Sequence, residues 1–248
     1  MPVREELARW QDAGRVARLW LRDDDAVSVT PALIRLAELC TASGIPYLIA
    51  AIPSHADREL ATFLASQPLA EVAPHGWSHR NHANEAERKQ EFPPHRPKSE
   101  ILGELGLARA RIDGLFGKLS VPIYVPPWNR IEREVATLLP DAGFRALSAL
   151  GRKAMFAAPS PLHELNTHLD IIDWRGSRGG RDLAALATEL AGHLGWARQN
   201  DASTIGILTH HLVHDEIAWR FVEELFAETA RHAAVRWSRV SDLISRSP

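Results

Sequence analysis

Apolar positions along the chain fall into short continuous runs, each followed by a longer stretch in which apolar residues recur every third or fourth position. "RLWLRDDD" is such a run, ending in carboxylates at Asp23–Asp25. In "TPALIRLAELCTASG", which follows, Thr30 can cap a helix, Pro31 suits its first turn and Gly44 ends it. "PYLIAAIP" predicts a second buried strand, with a helix after it from about Asp57 to Ser66. "AEVAPHG" predicts a third strand and delivers His75 at its tip. "VPIYVPP", "FRALSAL", "LDIIDW" and "TIGILTHH" continue the series, and helices are predicted near 98–116, 131–141, 181–200 and 215–232. "AVRWSRVSDLI" closes with a short strand and a last helix.

Strands alternating with helices of this length imply parallel βαβ units. About seven such units favour a closed or nearly closed α/β barrel over an open sheet. With no internal repeat and no low-complexity linker, one domain over residues 1–248 is expected. The polar residues are not scattered: Asp23–Asp25, His75, "PPWN", Asp173–Trp174 and His210–His211 all follow strand runs. That end of a barrel of this kind carries the active site.

Composition then narrows the chemistry. A 248-residue chain with 45% apolar and 24% charged residues has the make-up of a globular protein. Its net charge of −2 argues against nucleic acid as a partner. No apolar run is long enough to cross a bilayer, and the first residues lack the features of an export signal, so a cytoplasmic location is expected. Cys40 is the single cysteine, so a bound metal would rest on histidine and carboxylate.

"HGWSH" places His75 and His79 four residues apart, where one helical turn would aim both imidazoles at a point. In "RDDDA" adjacent carboxylates repel one another unless a cation offsets them; as an alternative to a solvated cap, one can bind a metal while its neighbour acts as a base. Two His and one Asp leave a coordination position open, the arrangement of a catalytic site. "YVPPWN" combines a stiff backbone with a tryptophan wall, and "DIIDW" puts Asp173 where a carboxylate can orient a histidine. "ILTHHLVHD" offers His210, His211 and His214, and a strand-end histidine can serve as a general acid.

In this order the motifs resemble those of the polysaccharide deacetylases, carbohydrate esterase family four, over about Leu19 to His211. The resemblance implies a distorted parallel (β/α) barrel that removes acetyl groups from N-acetylated sugars with a divalent metal. It implies Asp24 as base, with Asp25, His75 and His79 as metal ligands, and His210 as acid, oriented by Asp173. Pro127, Trp128, Asn129, Trp174 and His211 are then expected to bind substrate. Zinc is the expected ion, with cobalt, nickel and manganese as alternatives for such a donor set. In this divergent pattern Gly76 replaces a hydroxyl residue, and Val125 stands where the family has an arginine, leaving Asn129, Arg130 or Arg175 to substitute. Two other readings stay open: a hydrolase of a non-sugar amide, cyclic imide or ureide, and a catalytically silent glycan-binding relative. The polar insertion at about 80–97 is long for a loop and is expected to act as a lid. Oligomeric state is not written in the sequence.

Overall fold

The computed structural model describes residues 2–156, 160, 162–202 and 204–245. Helix α1 (Pro2–Asp12) precedes β1 (Ala17–Ala26), α2 (Pro31–Ser43), β2 (Tyr47–Ala51), α3 (Arg58–Ala65) and β3 (Ala70–Pro74). After the insertion come α4 (Lys98–Phe116), β4 (Ile123–Tyr124), α5 (Arg133–Ala136), β5 (Ala146–Leu147), β6 (His163–Glu164) and β7 (Leu169–Asp170). The chain continues with α6 (Leu183–Gln199), β8 (Thr204–Thr209), α7 (Glu216–Thr229), β9 (Val235–Trp237) and α8 (Val240–Ile244). The caps follow the sequence signals. Thr30 accepts from the Leu33 N–H at 3.1 Å, Pro31 opens α2, and Gly44 ends it at φ 67°. The predicted helix at 131–141 shrinks to the short α5, with turns after it.

Among the described residues the strands pair in parallel, in two sheets ordered β3-β2-β1-β8-β7, with β9 also on β1, and β4-β5-β6. Isolated parallel bridges stitch the sheets together, His75 to Val125 on one side and Leu150 to Thr167 on the other. The run 163–170 pairs with β5 at its start and with β8 at its end. This is the distorted parallel α/β barrel expected from the sequence.

Strand parity sorts the side chains. On β1, Leu19 and Leu21 join the large core under the helices, whereas Trp20 joins a second core with Leu48, Ala50, Ala73, Ile123 and Val125. Those residues line the inside of the strand ring. Arg22 and Asp24 continue the Trp20 side of β1 toward the C-terminal rim, and both are buried. The inner face is therefore apolar at depth and charged at the top.

Candidate active site

Asp24 and Asp25 are consecutive, so regular pleating would send them to opposite faces. The pairing of β1 with β2 slips between Asp24 and Ala26, and Asp25 sits in that irregularity at φ 75°. A bulge of this kind re-aims a side chain, and here it brings Asp25 beside Asp24 at the rim. The Asp25 Oδ1 lies 3.2 Å from His75 Nε2 and 3.3 Å from His79 Nε2. The three residues drawn together from the sequence thus converge.

His75 follows β3, and its Nδ1 is 3.1 Å from the Val125 carbonyl. A proton on Nδ1 donates to that oxygen and leaves the Nε2 lone pair facing Asp25. His79 arrives by a different route from the one expected. Residues 76–78 form bends rather than a helical turn, with Gly76 at φ 67° and His79 after them at φ 56°. The turn is tied from outside by buried Glu91, whose carboxylate accepts the N–H groups of Trp77 (3.0 Å) and Ser78 (2.6 Å) and the Ser78 hydroxyl (3.0 Å). A Cβ on residue 76 would stand 1.8 Å from Glu91 Oε2 and 2.6 Å from Pro127 Cγ. The hydroxyl residue expected there has no room, and Glu91 holds the turn in its place.

Donor chemistry and spacing fit a divalent cation. Asp25 Oδ1 is buried without a hydrogen-bond partner among the described residues, an arrangement that costs free energy unless something occupies it. Ligands of one tetrahedral zinc ion stand roughly 3.3 Å apart, which matches the two oxygen–nitrogen separations. Electrostatics agree at Asp25 and His79, whereas at His75 burial is outweighed by the Asp24 and Asp25 carboxylates, which hold it above its ordinary value until a cation takes the proton's place. Burial by itself would raise the Asp25 carboxyl, but the adjacent His75 ring and the other nearby imidazoles hold it well below its ordinary value. Burial, with His75 beside it, pushes His79 down to about 4, so its imidazole is neutral and able to coordinate.

Asp24 is clamped by Arg22 from the same face of β1. Arg22 Nη2 donates to Asp24 Oδ2 at 3.0 Å, and Nε lies 2.9 Å from Oδ1, off the line of its N–H. The guanidinium is held in turn by the Ser148 hydroxyl (2.7 Å), the Ser148 carbonyl (3.0 Å) and the Asn129 side-chain oxygen. Val125, in the register of the expected arginine, is a buried apolar residue of the ring. The arginine beside Asp24 comes instead from two residues earlier in β1, and neither Arg130 nor Arg175 fills that place. The period of the strand, which puts residues 22 and 24 on one face, was the signal for it. Asp24 Oδ2 also lies 3.9 Å from His75 Nε2 and 3.8 Å from His210 Nε2.

Three expected site residues sit elsewhere. His211 follows His210 and takes the opposite face; it is buried under the helices, where its Nδ1 pairs with Asp23 Oδ1. Pro127 is buried against the 76–79 turn and does not line the cleft, whereas Trp128, Asn129 and Trp174 do. Asp173 does not orient His210. Its carboxylate folds back on its own loop, accepting from the N–H groups of Arg175 (3.3 Å), Gly176 (3.0 Å) and Ser177 (3.3 Å). No hydrogen bond joins any carboxylate to His210 Nδ1 among the described residues; the carboxylate of β7 that shares the cleft with His210 is Asp170. Burial pushes the Asp170 carboxyl up while the charge of His210 opposes that rise, and its Oδ2 accepts from Trp174 Nε1 at 2.8 Å. The Trp174 ring meets the His210 ring edge-on, with centroids 4.6 Å apart.

Asp24, Asp25, His75, His79, Asp170 and His210 thus share one cleft of about 520 Å³ with Trp128, Asn129 and Trp174. Trp128 packs on His79 at 4.4 Å between ring centroids. Among the described residues six non-glycine positions have positive φ, and five of them, Asp25, His79, Trp128, Asn129 and Arg178, line this cleft. Backbone strain concentrated at one place marks a site whose geometry the surrounding fold enforces.

No protein-family model and no curated protein matches this sequence. Solved structures do match. A Mycobacterium smegmatis protein assigned as a polysaccharide deacetylase superposes with a TM-score of 0.71 at 16% identity, over 94% of this chain and 90% of its own. A family four acetyl xylan esterase from Clostridium thermocellum, in complex with a cobalt ion, gives 0.57 at 13% identity over 92% and 90%. A mutant of a family four pseudoenzyme gives 0.62 at 13% identity over 92% and 67%. The chain shares the fold of the polysaccharide deacetylases at low sequence identity.

Proposed function

We propose that this protein is a metal-dependent hydrolase that removes the acetyl group from an N-acetylated sugar or glycoconjugate. The observation that carries this reading is the convergence of Asp25, His75 and His79 beside an arginine-clamped Asp24 and a cleft-facing His210. Asp25, His75 and His79 would hold the ion, zinc by preference for this donor set. When bound there, the ion supplies a Lewis acid for the acyl oxygen and lowers the pKa of water.

The protein groups do the rest. Asp24 accepts the proton of the attacking water, and the Arg22 guanidinium, with one hydrogen bond and a second close contact, holds its carboxylate in place. His210, on the same side of the cleft, delivers a proton to the amine nitrogen as the carbon–nitrogen bond breaks, giving acetate and the free amine. Asp170 takes the role first expected of Asp173 through its charge and through Trp174, whose indole N–H it accepts and whose ring packs on His210. Trp128 and Trp174 offer apolar walls to a sugar ring. The insertion contributes Lys89 to the cleft, and Arg130 Nη1 reaches the Lys89 carbonyl at 3.0 Å. This supports a covering role, although Gln90–Pro93 are buried and anchor the segment. The Arg22 clamp also removes the main support for a silent glycan-binding relative, because Asp24 keeps a cationic partner without an arginine at position 125. Among the described residues no helix is long and apolar enough to cross a membrane.

Metal analysis of the purified protein, paired with acetate release from chitooligosaccharides and simple N-acetyl sugars, tests the reading. Stoichiometric metal with acetate release that a chelator abolishes is expected. Bound metal with no acetate from any N-acetyl sugar would refute it in favour of the alternative, hydrolysis of a non-sugar amide.

A further inference from the structure

The floor and the mouth of the cleft carry opposite charge. Asp24, Asp25 and Asp170 line the floor, while Lys89, Arg130, Arg175 and Arg178 line the walls around them. Among the described residues none of these four cations has a carboxylate within ion-pair distance, so their charge is not cancelled by a neighbour. Burial, with Arg88 nearby, pushes the Arg130 guanidinium below its ordinary value, as expected for a cation with no anion beside it. Four cations gathered at one cleft make its mouth positive in a chain whose net charge is −2.

Two of them are presented by a built loop. Asp173 accepts three consecutive N–H groups, those of residues 175 to 177, and its own backbone carbonyl accepts the N–H of Arg178 at 2.9 Å. Gly176 leaves room for that carboxylate, since a Cβ there would come within 2.3 Å of Asp173 Oδ2. The far end of the loop is pinned where Asp215 Oδ1 accepts from Gly180 N–H at 2.9 Å. Arg178 itself is held at φ 60°, a conformation that costs free energy in an arginine. The loop backbone is thus ordered by its own hydrogen bonds, so the backbone part of the entropic cost of placing Arg175 and Arg178 is met before a ligand arrives.

We propose that the substrate of this site is anionic: an N-acetylated sugar bearing a carboxylate or a phosphate, with the acetamide on the acidic, metal-binding floor and the anion against Arg130, Arg175, Arg178 and Lys89. This rests on the deacetylase reading for the sugar, but the anion subsite stands on the charge distribution alone. Guanidinium groups suit either anion because both offer paired oxygens to a planar fork.

The test is equilibrium binding to the zinc-loaded Asp24→Asn protein, which stops turnover, using N-acetylglucosamine, N-acetylmuramic acid and an N-acetylglucosamine phosphate monoester. At least one anionic sugar is expected to bind about tenfold or more tighter than the neutral one, the effect of a single charge-assisted hydrogen bond. That advantage should shrink at high ionic strength and fall toward unity when Arg175→Ala and Arg178→Ala are combined in the same background. Preference between the two anions identifies the carboxylate or the phosphate as the recognised group. Equal affinity for all three sugars, no binding of any of them, or a preference that survives loss of both arginines overturns the proposal. Acetate release by the wild-type protein from the same sugars separates the two ideas. Selective binding without acetate removes the deacetylase and leaves the anion site, whereas acetate release without charge preference does the reverse.

Discussion

Asp23 and Asp24 are neighbours in one strand, yet they live in two different environments. Asp24 faces the inside of the strand ring, is clamped by Arg22 and lines the cleft. Asp23 faces the helices, where it pairs with the His211 ring and accepts the Thr209 hydroxyl at 2.7 Å and the His211 N–H at 2.9 Å. Both are buried carboxylates with a cationic partner from the same rim. The inward one borders a cavity and has imidazole nitrogens of His75 and His210 within 4 Å. The outward one is enclosed on all sides, and its oxygens are already spoken for. Charge at a strand tip therefore says little about role; the face of the strand decides it.

The largest predicted effect breaks this comparison on the inner face. Asp24→Asn should lower kcat by about two to four orders of magnitude, the contribution usual for a general base, while bound metal persists because the ligands are other residues. Metal content and turnover measured on the same preparation check this, and near-normal turnover would remove Asp24 from its role. The outer face should respond in stability instead. Asp23→Ala leaves His211 buried without its partner and should cost about 3–5 kcal/mol, lowering Tm by about 10 °C.

The pH dependence of that cost has a definite sign. The Asp23 carboxyl is held below its ordinary 3.8, since the charge of His211 and the hydrogen bonds outweigh burial, so its contribution is lost as pH falls through the lowered value. His211 is raised above 6.5, Asp23 outweighing burial, so its contribution is full below 6.5 and is lost as pH rises through the raised value. The stability gap between wild type and Asp23→Ala should therefore be widest between about pH 4 and 6.5 and narrow on both sides, as denaturant titrations across pH would show.

Most of the barrel was readable because strands and helices alternate, and helix ends such as Thr30, Pro31 and Gly44 carry local chemistry that sequence reports directly. The rim assignment was readable for the same reason. Parity within a strand was also present in the sequence, and it separates Arg22 and Asp24 from Asp23, and His210 from His211. What local pattern does not contain is the break in parity at Asp25, which depends on a bulge, and the tether from Glu91, which reaches across the insertion to the 76–79 turn. Nor does it show that a helix at 131–141 would yield to turns. These are tertiary outcomes.

Glu91 sharpens the comparison at the one place where parity is broken, since Asp25 and His79 both reach the site through left-handed backbone. Glu91→Gln replaces an acceptor of two N–H groups and a hydroxyl by an amide that donates as well as accepts. The 76–79 turn should loosen, and the metal should bind about 10- to 100-fold more weakly, the usual cost of losing support behind a ligand. A metal titration reads this directly, and unchanged affinity would mean that the turn holds its shape without the tether.

The smallest predicted effect belongs to Asp173, and its value lies in the contrast with Asp170. The two stand three residues apart in "DIIDW", so sequence alone allows either to serve His210. β7 ends at Asp170, which still carries the inward parity of the ring, whereas Asp173 lies beyond the strand and spends its carboxylate on the N–H groups of residues 175 to 177. Asp170→Asn should therefore lower kcat about tenfold or more, as expected when the carboxylate that acts on an active-site histidine through its charge and through Trp174 is neutralised. Asp173→Asn keeps an acceptor for the loop and should change kcat on a neutral N-acetyl sugar by no more than about threefold, the cost of weakening one loop hydrogen bond. Steady-state kinetics on the two variants decide between them. If Asp173→Asn proves the more damaging, the loop carboxylate reaches the chemistry after all, and face would no longer predict function at this rim.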